Sequence, residues 1–167
     1  MCSVKTILET TLEIRLMDTD DLTGNRRELL SLLEDNLGIN FKFGDSCTKE
    51  AVNKYSDMVR FHSDNTAIVL GAFLEEALVG FLWAHPREIL GERRMHIAHL
   101  IVMPDFRSCG VGKKLLDNLE KITEEQGIRK LDLLTTVENE QALKFYERNG
   151  FVITRVQFEK ELEQLEC

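Results

Sequence analysis

Arg107-Ser108-Cys109-Gly110-Val111-Gly112 is a short stretch with two glycines, set between two apolar patterns of different period. Before it runs His96-Ile97-Ala98-His99-Leu100-Ile101-Val102-Met103, closed by Pro104. After it, Val111, Leu115, Leu116, Leu119 and Ile122 recur at helical spacing with Lys and Glu between them. The stretch is therefore a strand-to-helix turn. Gly110 and Gly112 remove Cβ atoms where the backbone must turn sharply and where a ligand can come close. The first N–H groups of the following helix have no intrahelical partner. With the helix dipole they make a seat for an anion, most often phosphate. Arg107 at the mouth, with Lys113 and Lys114 just inside the helix, adds positive charge to an otherwise acidic chain.

Working outward, Thr11 to Met17 alternates apolar and polar residues and predicts a first strand. Asp18, Asp20 and Asp21 offer N-cap chemistry, followed by a helix from Arg26 to about Asn36 that Gly38 is placed to end. A loop over 39–45 carries Phe41 and Phe43, and a second helix starts near Ser46 or Thr48 and reaches about His62. Thr66 to Phe73 and Ala77 to Ala84 read as a hairpin around Glu75-Glu76. Pro86 should stop its second strand, leaving a polar loop to Arg94. Past the central strand and its helix, Leu131 to Val137 is a strand and Asn139 to Asn149 a helix ended by Gly150. Phe151 to Phe158 is a last strand, and the tail to Cys167 reads either as a strand end or as a short acidic helix.

The chain has 167 residues, 43% hydrophobic and 30% charged, which suits one globular domain over residues 1–167. A net charge of −8 argues against nonspecific nucleic-acid binding. No apolar run approaches the roughly 20 residues of a membrane span, and Met1 to Lys5 lacks a signal-peptide core. Cys2, Cys47, Cys109 and Cys167 are scattered, with no pair at metal-ligand spacing. Reduced thiols in a cytoplasmic protein without a metal are the expectation.

A second motif lies downstream: Asn139-Glu140-Gln141-Ala142-Leu143-Lys144-Phe145-Tyr146-Glu147-Arg148-Asn149-Gly150-Phe151. Arg107-x-x-Gly110-x-Gly112, after a strand ending Val102-x-Pro104, resembles the acyl-CoA pyrophosphate loop of the GNAT superfamily of N-acetyltransferases. The second piece resembles that family's closing signature: Asn, Ala three later, Tyr four after that, then Gly-Phe. Glycine turns before helices are common, but both pieces in order with a strand between them make the match specific. The detailed resemblance covers residues 95 to 155. It implies an α/β (α+β) GNAT fold, with a mixed central sheet of six to seven strands splayed at its centre and about four flanking helices.

It also implies acetyl-CoA as co-substrate. Arg107, Ser108, Cys109, Gly110, Val111, Gly112 and Lys113 would hold the pyrophosphate. Leu100, Ile101 and Val102 would pair with the pantetheine arm, the N–H near Val102 polarising the thioester carbonyl. Asn139, with Ala142 one turn on, would reach the same arm, although Asn139 also reads as a plain N-cap. Tyr146 is the implied general acid for the departing thiolate, against a helix-core aromatic beside Phe145. Cys109 occupies a variable spacer position and is read as such.

The acceptor amine must lose a proton, since at a Lys-like pKa only about one molecule in two thousand is neutral at pH 7. His96 is the first choice of base and His99 the second, with a water chain as the third course. An odd offset puts His99 on the opposite face of a regular strand unless a bulge redirects it. Either ring can instead be a core histidine, and His85 is weaker still. The acceptor site is expected between residues 36–45, the His85–Arg94 loop and the chain's end, with Asp35 or Asp45 attracting a cation. A small-molecule amine is expected, since nothing marks a peptide groove. The alternatives are a noncatalytic acyl-CoA-binding or regulatory domain, and a protein N-terminal or lysine acetyltransferase. The sequence leaves a homodimer open.

Overall fold

The computed structural model describes residues 12–40 and 47–160. The elements are β1 (Leu12–Leu16), α1 (Thr19–Gly24), α2 (Arg26–Asn40), α3 (Cys47–Ser63), β2 (Ile68–Leu74), β3 (Ala77–Ile89) and β4 (Glu92–Val102). A 3-10 turn (Pro104–Phe106) precedes α4 (Val111–Glu125), β5 (Leu131–Leu133) and α5 (Glu140–Arg148). The sheet runs β1-β2-β3-β4-β5, antiparallel throughout except that β5 lies parallel to β4. The crossover from β4 to β5 through α4 is the βαβ unit that the two apolar periods predict.

Alternation along the strands gives two cores. On one face Leu70, Leu82, Ala84, Met95 and Ile97 pack against Val111, Leu115 and Leu119 of α4. On the other, Phe73, Phe81, Trp83 and Ile101 pack against Leu29 and Leu33 of α2 and Ala51 and Met58 of α3. Each fully buried Val, Leu, Ile, Phe or Met side chain among these contributes roughly 1.5–3 kcal/mol, and the alanines less. β4 supplies both faces and so fixes the sheet relative to all the long helices. Asp18 caps α1, accepting from the Asp21 N–H at 2.8 Å, and the Asp21 carboxylate in turn takes the Arg15 guanidinium of β1.

Several expectations need correction. Pro86 does not stop β3, which continues to Ile89 and turns at Leu90-Gly91 into β4, so the loop to Arg94 is a hairpin. The reason is one of register. Met95 stands opposite Pro86 and sends its N–H the other way, to the Lys130 carbonyl at 2.8 Å, so this is a non-hydrogen-bonded pair. The donor that proline lacks would therefore point away from β4, along an edge that β2 has ceased to cover after Ala84. Gly38 does not end α2, which runs on to Asn40, whose Nδ2 donates to the Asn36 carbonyl at 2.9 Å. Of the predicted strand from Leu131 to Val137, only Leu131–Leu133 pairs, and Phe151 to Phe158 forms no strand with any described residue. The sheet thus has five strands among the described residues rather than six or seven. Phe41, Phe43, Asp45, Ser46 and the tail from 161 lie outside the described residues. No helix among those described is long and apolar enough to cross a membrane.

Candidate active site

β4 is open where the site would need it open. β5 pairs only with Met95 to Ile97, so from Ala98 to Val102 the β5-facing edge of β4 has no partner among the described residues. This is the splay that the resemblance implies. At the end of that open edge the 3-10 turn carries the chain into the anion loop. Ser108 and Gly110 both take left-handed backbone, with φ of 60° and 86°. For a non-glycine such as Ser108 this conformation costs about 1–2 kcal/mol. The first α4 hydrogen bond runs from the Lys114 N–H to the Gly110 carbonyl at 3.0 Å. The N–H groups of Val111, Gly112 and Lys113 therefore precede the ladder. A Cβ built on Gly110 would meet nothing within 4 Å, whereas one on Gly112 would lie 3.5 Å from Leu100 and Phe145. The space over Gly110 is open, beside the helix start whose first N–H groups have no intrahelical partner. A pyrophosphate fits this cradle by its chemistry.

The loop's side chains contribute less than its backbone. Val111 is buried in the core, so only its N–H is available. The Arg107 Nε donates to the Val102 carbonyl at 3.0 Å, which ties the guanidinium to the strand end and occupies an acceptor that the pantetheine arm was expected to use. The Lys113 ammonium pairs with Asp117 at 2.7 Å along its own helix. Cys109 is a free thiol, half-buried against the α4 core.

On the other face of β4 a bulge decides the histidines. His96 stands opposite His85 and His99 opposite Trp83, with a register shift between them that leaves Ala98 as the extra residue. Trp83 and His85 share a face of β3, so His96 and His99 share one too, despite their odd spacing. The His85 ring lies edge-on to His96 at 5.3 Å and stacks on Phe61 of α3 at 5.3 Å, while His99 stacks on Trp83 at 5.6 Å. Burial pushes the His99 pKa down to about 4, with the Lys54 charge assisting. The indole Nε1 of Trp83 is buried and finds no partner among the described residues.

His96 is held more closely than His99. Its Nδ1 lies 2.8 Å from Asp132 Oδ1, its register neighbour on β5. Arg87 Nη2 meets the same carboxylate at 2.7 Å, and Arg94 Nη1 lies 3.9 Å from it. Burial raises the Asp132 pKa, but hydrogen bonds from Arg87 and His96 outweigh it and keep the carboxyl below its usual value. An ionised carboxylate can only accept, so the neutral ring carries its proton on Nδ1 and the lone pair on Nε2. Burial lowers the His96 pKa, the Asp132 hydrogen bond opposing and the Arg87 charge adding to it. Asp132 and Arg87 escaped the reading of the sequence. The available signal was a lone acid inside the apolar run Leu131-Asp132-Leu133, but its partner stands on a strand distant in sequence.

Tyr146 approaches from α5. Its ring packs edge-on against Phe145 at 5.2 Å and Phe151 at 5.3 Å, and Phe145 in turn borders Gly112. Burial pushes its pKa up to about 12, so the phenol keeps its proton at neutral pH. Asn139 is the N-cap of α5, its Oδ1 accepting from the Ala142 N–H at 3.1 Å while its Nδ2 donates to Asn40 at the end of α2 at 3.1 Å. Leu100 faces the Gly112 side and His99 faces Trp83, so β4 carries the loop side and the histidine side on its two faces. Asp35 takes no part in either cluster. No group of three or more His, Cys, Asp or Glu suited to a metal lies among the described residues.

A βαβ unit with a two-glycine turn at the end of an opened β4, and Tyr146 on the helix that follows β5, are the features on which the resemblance to N-acetyltransferases rests. Residues 29–151 match the model of the acetyltransferase (GNAT) family, and the chain belongs to that family. A spermidine N(1)-acetyltransferase of Thermoplasma acidophilum is 30% identical over 98 residues, covering 59% of this chain and 58% of that one. The match thus spans little more than half the length of that relative. The crystal structure of the PaiA N-acetyltransferase from Thermoplasma acidophilum in complex with coenzyme A superposes with a TM-score of 0.72 at 23% identity, over 89% of this chain and 94% of that one. An aminoglycoside acetyltransferase from an uncultured soil metagenomic sample, in complex with sisomicin, gives 0.71 at 22% identity, over 93% and 99%. At those identities the likeness is one of fold.

Proposed function

We propose that this chain transfers the acetyl group of acetyl-CoA to a primary amine of a small molecule, by direct attack in a ternary complex. The observation that carries the reading is the gap along Ala98–Val102 of β4, with the anion loop at its end. Relatives named for spermidine and for aminoglycosides support a small polar amine as acceptor.

When bound, acetyl-CoA supplies an activated acetyl thioester and a thiolate leaving group. The N–H groups of Val111, Gly112 and Lys113 would hold its phosphates, and the open backbone of Leu100 and Ile101 would align its arm. The acceptor ammonium gives a proton to Nε2 of His96, which is free to receive one because Asp132 holds Nδ1–H. His99, pushed down to about 4, is neutral but a much weaker base, and its stacking on Trp83 suits it to shaping the acceptor wall. Tyr146 keeps its proton near neutrality and can deliver it where negative charge develops on sulfur. Asn139, already an N-cap, retains hydrogen-bonding capacity for the arm.

The test is thiol release from acetyl-CoA with spermidine, an aminoglycoside and an amino acid as acceptors. Turnover with at least one is expected, together with a rise in melting temperature on adding CoA, by mass action. Gly110→Asp puts a side chain and a negative charge into the open space over the loop and should abolish both. CoA binding without turnover on any amine would make the chain a noncatalytic acyl-CoA-binding domain. Unchanged CoA affinity in folded Gly110→Asp would refute the loop assignment.

A further inference from the structure

Among the described residues, three buried side-chain nitrogens have no hydrogen-bond partner: Nε1 of Trp83 and the Nε atoms of Arg87 and Arg94. All three are N–H donors, and no buried side-chain oxygen is left over beside them. The two arginines are otherwise engaged, Arg87 with Asp132 and Arg94 with Glu92 and Asp132. The Trp83 indole has one donor and no acceptor, the residue is 4% exposed, and the acetyl-transfer steps above do not use that donor. Leaving a buried donor unpaired is costly, so Nε1 calls for a partner that the described chain does not supply.

Trp83 lies among three rings. It stacks on His99 at 5.6 Å and stands 6.1 Å from Phe61 and 6.3 Å from His85. His85 in turn borders His96 at 5.3 Å, so the unpaired N–H belongs to the same cluster as the proposed base. α3 covers this cluster. Ala51 and Met58 are fully buried there and Phe61 stacks on His85, which fixes the face of α3 turned to the sheet. Lys54 is three residues after Ala51 and four before Met58, hence beside that face. Its Nζ lies 3.3 Å from Glu50 on the same helix, and its side chain keeps 37% exposure. A half-exposed pair of this kind is weak, and a better-placed carboxylate can share its ammonium. Burial first, and then the Lys54 charge, lower the His99 pKa, which sets that charge near the ring stacked on Trp83.

We propose that the Trp83 N–H and the Lys54 ammonium bind a carboxylate of the acceptor, so that the chain acetylates amino acids in preference to amines without an acid group. The site rests on the acetyl-transfer reading and selects its acceptor. A carboxylate has an oxygen for each donor, and the ammonium supplies the opposite charge. A polycation meets the reverse, since Lys54 repels it and the indole N–H stays unpaired. His85 stands between Trp83 and His96, which holds the carboxylate apart from the amine that His96 deprotonates.

Trp83 is the chain's only tryptophan, so its emission reports on the site without turnover. The protein in the presence of CoA is titrated with α-amino acids and with ω-amino acids from β-alanine to ε-aminocaproate, each beside its amide. At least one acid should shift the emission saturably while its amide does not. With acetyl-CoA, kcat/KM for that acid should exceed that for its amide by about 10- to 100-fold, the size of one hydrogen bond to a charged group. Lys54→Gln should erase most of that ratio through KM, and Lys54→Arg should restore much of it. Amides bound and acetylated as well as the acids, or a ratio unchanged in Lys54→Gln, would overturn the proposal. No shift with any acid overturns it too, and acetylation of spermidine in that case leaves acetyl transfer standing. Acids that shift the emission in a Lys54-dependent way without releasing thiol would uphold the carboxylate site and refute acetyl transfer.

Discussion

His96 owes its suitability as a base to the different surroundings of its two ring nitrogens. Nδ1 is held by Asp132, which is itself held ionised by Arg87, and Nε2 takes no partner among the described residues. A base works only while neutral, so turnover should rise through the His96 pKa, which burial places below the usual 6.5. Asp132→Asn removes the one neighbour that raises this pKa and leaves Arg87 uncompensated. The rising limb should therefore move to lower pH. Plateau turnover should fall by part of the 10²–10⁴-fold that a positioned base contributes, roughly. A pH–rate profile checks both, and a merely structural Asp132 would lower the plateau without moving the limb. His96→Gln should abolish the limb, with parent and variant converging at high pH, where the amine deprotonates itself. If His99→Gln abolishes it instead, the base is His99.

Among the elements, the β4–α4 turn shows two glycines needed for different reasons. Gly110 is required by its backbone, since at φ 86° any Cβ is strained although space is open around it. Gly112 lies in the first turn of α4 without a left-handed backbone, and its added Cβ would make ordinary contacts at 3.5 Å with Leu100 and Phe145. Gly110→Ala should cost about 1–2 kcal/mol. Gly112→Ala should be near neutral, or gain up to about 1 kcal/mol from helix propensity. Urea unfolding midpoints of the two variants against the parent decide this. The bulge at Ala98 belongs to the same level of description, because one extra residue in β4 turns His99 to the face that holds His96.

For the molecule as a whole, the enclosed histidines predict an acid weakness. The His99 pKa falls from 6.5 unfolded to about 4 folded, so the unfolded chain binds the proton first as pH drops. The associated stability is present above pH 6.5 and is lost between there and about 4, His96 acting in the same direction. The loss from His99 is on the order of 2 kcal/mol after allowing for its partial exposure. Tyr146 does the converse, losing its contribution as pH rises from 10 towards 12. Urea midpoints at pH 7.5 and pH 5 should differ more for the parent than for His99→Gln, which cannot titrate. Equal differences would mean that water reaches the His99 ring freely.

Much of this protein was legible from local periodicity and spacing. The shift from period two to period 3.6 across Arg107–Gly112 located the βαβ unit, and the two glycine-bearing motifs located the β4–α4 turn and the helix that Asn139 caps. Those features are set by residues near one another in the chain, whose backbone preferences and helix-end chemistry are local. What the sequence could not show depends on which strands stand side by side. Pro86 is tolerated in β3 because Met95 turns its N–H elsewhere, a fact of pairing rather than of proline. Asp132 meets His96 only because β5 docks parallel to β4 at that register. His96 and His99 face one way only because a bulge absorbs Ala98. The segment from Phe151 has the composition of a strand, but a strand needs a neighbour, and it pairs with none of the described residues. Register, bulges and chain direction arise from long-range pairing and packing, which residue order by itself does not encode locally.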